Sequence, residues 1–173
     1  RSRIQINAAQ QVNRMSSNTR IIAEIGNTHE GSIGLAKQFI RTASECGVDA
    51  VKFQVHLFEA ESLPNAPNPP YFKDESRKEY FDRTGFSTDQ WRTLKSFAEK
   101  DCHVDFICSP FSVEAVQMMQ RISLTIYKVA SGEVTNIPLL ETIAQTGRPV
   151  LLSSGMSNWE ELDLAARVLK TNG

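Results

Sequence analysis

The chain has 173 residues, of which 40% are hydrophobic, enough for one domain with a buried core and too much for a disordered tail. Nineteen lysines and arginines almost balance 20 aspartates and glutamates, so no broad field exists to hold a nucleic-acid backbone or an anionic membrane. No apolar run approaches the roughly 18 residues that span a bilayer, and three cysteines without a CxxC pair (Cys46, Cys102, Cys108) point to a reducing, cytoplasmic setting.

Residues 1–20 form a polar leader without the apolar core of a signal peptide. Five short continuous apolar runs follow, at residues 21–25, 50–55, 104–108, 125–130 and 149–152, the pattern of strands covered by helices. After the first, Leu35, Ala36, Phe39, Ile40, Ala43 and Cys46 mark one helical face, and Gly47 suits a left-handed stop. Ser87 with Gln90 and Ser157 with Glu160 fit capping boxes, and Pro138 opens a helix over 137–145. Strand and helix alternate about five times, which implies an α/β fold of parallel strands with right-handed crossovers, either a barrel or an open doubly wound sheet. Residues 57–86 interrupt the alternation with four prolines (Pro64, Pro67, Pro69, Pro70) and four aromatics (Tyr71, Phe72, Tyr80, Phe81). They read either as a flexible surface excursion or as a lid or recognition loop at the carboxyl end of the second strand.

Charged residues inside apolar strands are the informative ones, because burying an ion costs several kcal/mol unless it is paired or used. Glu24 lies in IIAEIG, Lys52 in AVKFQV and Lys128 in TIYKVASGE, with Glu133 just beyond. Lys52 and Gln54 are two residues apart and project to one side of their strand, away from Val51, Phe53 and Val55. Ser109, Ser131 and Gly132, and Ser153, Ser154 and Gly155 sit at the carboxyl ends of successive strands. There, with two lysines, they make a phosphate or carboxylate site, or else they only cap helices and shape turns. Glu24 and Glu133 suit proton transfer, hydrogen bonding to sugar hydroxyls, or neutralisation of the lysines. His29, His56 and His103 lack HxxxH or HxH spacing and make no metal site; His29, in the loop after the first strand, is a candidate ligand contact, and His103 reads as structural.

The motifs IIAEIGNTHEGS, DAVKFQ, FICSPFS, YKVASGEVTNIPLL and GRPVLLSSGMSNWEEL closely resemble the N-terminal barrel of the sialic-acid synthases, which make N-acetylneuraminate, legionaminate and pseudaminate. The resemblance implies a TIM (β/α)8 barrel followed by an antifreeze-like domain. It implies condensation of phosphoenolpyruvate with an N-acetylated aldose of the N-acetylmannosamine type, giving a nine-carbon 2-keto sugar acid and phosphate. Carried over by motif, Lys52, Ser109, Lys128, Ser131 and Ser153 hold the phosphate and carboxylate of phosphoenolpyruvate, with Gln54 nearby as a further substrate-binding residue, while Glu24 and Glu133 orient and move protons. A divalent metal, Mn2+ or Mg2+, polarises the aldehyde. Thr28 departs from the family's asparagine, and Ser109 stands where threonine is common.

A TIM barrel takes eight units in about 250 residues, and residues 21–173 supply about five. The expectation is therefore a partial barrel, inactive alone, with the metal ligands beyond residue 173 and the antifreeze-like domain contributed by the partner in a full-length homodimer. Two other readings stand beside it: a Schiff-base aldolase using Lys128, and a half-barrel assembly module that pairs through its exposed strand edges.

Overall fold

All five apolar runs become strands in the computed structural model, which describes residues 19–68, 70 and 74–171. They are β1 (Ile22–Gly26), β2 (Ala50–Val55), β3 (Asp105–Pro110), β4 (Ile126–Val129) and β5 (Val150–Leu152). Each pairs with the next in parallel, in the order β1-β2-β3-β4-β5. Neighbours in sequence are thus neighbours in the sheet, so right-handed crossovers put every connecting helix on one face. A doubly wound sheet reverses its strand order partway and places helices on both faces. The observed order is that of the first five units of a barrel wall.

Alternation along the strands separates two faces. Val51, Phe53 and Val55 of β2, Phe106 and Cys108 of β3, and Tyr127 and Val129 of β4 are wholly buried. Against them pack Ala36 and Ile40 of α1 (Ile33–Glu45), Trp91 and Leu94 of α4 (Thr88–Ser96), and Ala115, Val116 and Met119 of α5 (Val113–Arg121). Leu139, Leu140 and Ile143 of α6 (Ile137–Ala144) and Ala165 of α7 (Trp159–Thr171) complete this layer. Phe53 stacks on Phe106 at 5.2 Å and meets Trp91 edge-on at 5.8 Å. Burying each such side chain contributes about 1.5–3 kcal/mol, so this layer holds the sheet in place. The register puts Glu24 beside Lys52, Lys52 beside Ile107, Gln54 beside Ser109, and Lys128 beside Leu151, all on the opposite face. Leu151 is 40% exposed there, and the described helices pack on the other face.

Local chemistry explains the helix ends. Ser32 caps α1 by accepting from the Leu35 N–H, and Gly47, at φ +82°, makes the expected left-handed turn after it. Ala36 and Ile40 are buried, whereas Phe39 and Cys46 lie at the exposed margin of the face assigned to them. The Ser87/Gln90 capping box on α4 forms as expected, and Asn136 caps α6 with Pro138 in its first turn.

Three expectations are corrected. The α7 box is Asn158 with Glu161, one residue later than Ser157 with Glu160: the Asn158 Oδ1 accepts from the Glu161 N–H and the Glu161 carboxylate accepts from the Asn158 N–H, both at 2.9 Å. Asparagine caps as well as serine, and this frame turns Leu162, Ala165, Val168 and Leu169 to the core. The second correction concerns residues 57–86, whose described part is not a flexible excursion. It contains α2 (Phe58–Glu61) and α3 (Arg77–Thr84), the latter with its own capping box, Ser76 with Glu79. Arg83 ties α3 to Glu30 and Glu75, and Phe86 closes the segment inside the core. Residues 69 and 71–73, and 1–18 of the leader, lie outside the described residues.

The third correction is His29. It is wholly buried, stacked on Phe86 at 4.5 Å, and its Nδ1 accepts from the Gly31 N–H. Burial lowers its pKa to about 4 and keeps it neutral. It is a core side chain, sealed from solvent and outside the lining of the cleft of about 700 Å3 that Gln54 and Glu133 line. His103, at φ +56° just before β3, belongs to the turn, as expected.

Candidate active site

Lys52 is held on the open face of β2 by the β1–β2 register, which makes Glu24 its neighbour, and the two side chains are in contact. Burial first, and the charge of Lys128 second, pull the Lys52 pKa down to about 8, with Cys108 acting in the other direction. Burial also lowers Lys128. Two lysines close enough to repel, both partly stripped of water, form a centre whose charged state improves when an anion settles between them.

Three serines flank this pair. Ser109, the register partner of Gln54, is 1% exposed, and its hydroxyl meets no hydrogen-bond partner among the described residues. Ser131 opens the turn after β4 (Ser131–Glu133), and the loop at Gly155 approaches it, so that a Cβ on Gly155 would lie 3.9 Å from the Ser131 Cβ. Ser153 follows β5 and donates its backbone N–H to the Val129 carbonyl. None of the three caps a helix: Ser112 caps α5, Asn136 caps α6, and Asn158 and Glu161 form the α7 box. The simple structural use of these hydroxyls is therefore taken by other residues.

Beside this face opens a cleft of about 700 Å3. Of the residues singled out from sequence, Gln54 and Glu133 line it; Glu24, Lys52, Ser109, Lys128, Ser131 and Ser153 lie outside its lining. Glu133 accepts from the Asn136 side-chain amide at 2.8 Å, which aims its carboxylate. The remaining walls are Asn27, His56, Phe111 and residues of the 57–86 segment, among them Glu61, Arg77, Tyr80 and Phe81. Aromatic rings beside carboxylates and amides suit a neutral polyol, while the lysine face suits an anion. Sequence reasoning missed Asn27, His56, Glu61 and Phe111, because their neighbourhood arises only when the 57–86 segment folds over the end of β2. Among the described residues, no group of three or more histidines, cysteines, aspartates or glutamates is placed to hold a metal ion. Nor, among these residues, is any helix long and apolar enough to cross a membrane.

Comparison with known proteins places this geometry in context. The model of the NeuB family matches residues 39–173. An N,N'-diacetyllegionaminic acid synthase of Campylobacter jejuni is 36% identical over 162 residues, covering 90% of this chain and 48% of the relative. An N-acetylneuraminate-9-phosphate synthase of Mus musculus is 36% identical over 154 residues, covering 87% of this chain and 43% of the relative. The crystal structure of an N-acetylneuraminic acid synthetase from Leptospira borgpetersenii, in complex with citrate, superposes with a TM-score of 0.75 at 29% identity, over 90% of this chain and 51% of that one. The chain thus spans about half the length of the relatives it matches.

Proposed function

Because the chain belongs to the NeuB family, we propose that it supplies the phosphoenolpyruvate side of a synthase that condenses phosphoenolpyruvate with an uncharged N-acetylated aldose of the N-acetylmannosamine type. The products are a nine-carbon 2-keto sugar acid and phosphate. The observation that carries this reading is the Lys52–Lys128 pair on the open face, flanked by three serines free of capping duty, next to a polar and aromatic cleft.

In this reading Lys52 and Lys128 bind the phosphate and carboxylate of phosphoenolpyruvate, with the hydroxyls of Ser109, Ser131 and Ser153 as donors. The aldose occupies the cleft against Gln54 and Glu133, and its aldehyde carbon faces C3 of phosphoenolpyruvate. The C2–C3 π electrons form the new C3–C bond while the aldehyde oxygen takes a proton from Glu133, whose place in the cleft lining supports this role. Water then adds to C2; one of its protons restores Glu133 and the second leaves with the phosphate as the C2–O bond breaks and the ketone forms. Glu24, in contact with Lys52, orients that ammonium and holds the local charge near balance.

Residues 21–173 act here as the first five units of the barrel. The reading keeps a divalent metal, Mn2+ or Mg2+, as the protein's cofactor, with ligands outside these residues. It also keeps a homodimer in which the partner completes the aldose pocket. Three cysteines without a disulfide support a reducing, cytoplasmic location.

The test is a synthase assay on the protein expressed from its natural gene, with phosphoenolpyruvate, Mn2+ and N-acetylmannosamine. Phosphate and 2-keto acid should appear one to one and only when the aldose is present. Phosphate release indifferent to the aldose would count against the reading.

A further inference from the structure

His56 follows β2, two residues past Gln54, inside the cleft wall, and three elements hold it. Its ring lies between Phe81 of α3, at 4.1 Å and 5° from parallel, and Phe111, at 4.1 Å and 20°. Its Nδ1 meets the Glu61 carboxylate at 2.7 Å, and Glu61 in turn accepts from the Leu57 N–H at 3.1 Å, which fixes that carboxylate at the start of α2. Its Nε2 meets the Gln54 Oε1 at 3.1 Å. The His56 and Glu61 side chains are only 11% and 10% exposed, so water does not compete freely for these bonds.

We propose that His56 is a positioning residue that fixes the side-chain amide of Gln54 and thereby sets which hydrogen-bonding group Gln54 turns toward the aldose. The warrant is geometric. A glutamine carboxamide offers a donor at one end and an acceptor at the other, and a free one rotates between the two. With its carbonyl oxygen held at His56 Nε2, Gln54 has its amide NH2 left to donate, and the residue lines the cleft. Glu61 fixes the ring's orientation through Nδ1, as carboxylate partners do for functional histidines elsewhere, and the two phenyl rings keep it from turning. Part of the 57–86 segment therefore acts through its neighbours as well as lining the cleft: Glu61 and Phe81 hold His56, and His56 holds Gln54.

This inference rests on the synthase reading for its ligand but not for its contact, and the experiment separates the two. His56→Phe keeps an aromatic ring between Phe81 and Phe111 and deletes both hydrogen bonds. It should raise the KM for N-acetylmannosamine about tenfold, the loss expected of a directing hydrogen bond, and leave the KM for phosphoenolpyruvate within about twofold. Placed on Gln54→Ala, it should add nothing, because the group it positions is gone. A wild-type KM for the aldose in His56→Phe, or a full second loss in the Gln54→Ala background, overturns the proposal. If His56→Phe does not fold, Glu61→Gln gives the same cycle through a milder change. The contact has its own readout: the 15N resonance of His56 Nε2 should shift in Gln54→Ala, and an unmoved resonance overturns it whatever the assay shows. If the wild-type protein makes no 2-keto acid at all, the synthase reading falls, and the resonance still decides the contact.

Discussion

Glu24 and Lys52 are register partners across β1 and β2, and their side chains meet on the one face of the sheet that the helices leave open. Lys52 is the more enclosed, with 12% of its side chain exposed against 47% for Glu24. The pair is therefore asymmetric: the lysine carries the cost of burial, and the carboxylate stays solvated.

That asymmetry predicts a stability effect with a definite pH dependence. The folded pKa of Lys52, about 8, lies below its ordinary value of 10.5. Below pH 8 the group is charged in both folded and unfolded protein, so the full burial penalty is present. Between pH 8 and 10.5 the unfolded chain holds the proton more tightly, and stability rises with pH. Lys52→Met should stabilise the protein by about 1–2 kcal/mol at pH 7 and flatten that rise. Denaturant titrations at pH 7 and pH 10 check both; a destabilised Lys52→Met at pH 7 would show that the Glu24 contact outweighs burial.

Ligand binding should titrate with the same group. In the synthase account phosphoenolpyruvate binds a charged Lys52, so its affinity should be level just below pH 8 and fall above it, approaching tenfold per pH unit. Isothermal titration from pH 7 to 10, with Lys52→Met as the control without this slope, is the measurement. An affinity unchanged through pH 9 would remove Lys52 from the anion site.

Gly31 should be irreplaceable for reasons remote from chemistry. It has φ +76°, and a Cβ there would sit 2.0 Å from the Arg83 carbonyl oxygen, where α3 closes on the loop after β1. Gly31→Ala should cost more than about 2 kcal/mol. Gly132→Ala, with nothing within 4 Å of the new methyl and no positive φ, should cost under about 1 kcal/mol. Thermal melts of the two variants compare them, and equal melts would mean that α3 is not held against that loop.

How much of this was legible follows from which signals are local. The strands could be read because buried parallel strands are unbroken apolar runs, and Lys52 with Gln54 stood out because a period of two is visible along one strand. Helix α3 was not legible: its sequence, RKEYFDRT, has no apolar stripe, and it is held by a cap and by Arg83 reaching Glu30 and Glu75. His29 and His56 were indistinguishable as letters. One is sealed beside Phe86 and the other is clamped by Phe81 and Phe111, contacts made between residues up to 57 and 55 positions apart. The α7 cap slipped by one residue because Ser157 and Asn158 are both good caps, and the burial of Leu162 and Ala165 chose between them.

Lys128 has its pKa lowered by burial, a property that would also suit an imine-forming amine. In the synthase account it stays an ammonium that binds an anion. Borohydride added with pyruvate should therefore leave the protein mass unchanged, while Lys128→Ala should abolish turnover and keep the fold. A reduced adduct mapping to Lys128 would support the aldolase instead.

The most direct test of the central claim is the fate of the oxygen that bridges C2 and phosphorus. With phosphoenolpyruvate carrying 18O at that position and N-acetylmannosamine as co-substrate, the protein expressed from its natural gene should release phosphate that retains the label, because the C2–O bond breaks and the ketone oxygen comes from water. Label left in the 2-keto acid, with unlabelled phosphate, would mean that the P–O bond breaks and would contradict attack by C3 followed by addition of water at C2.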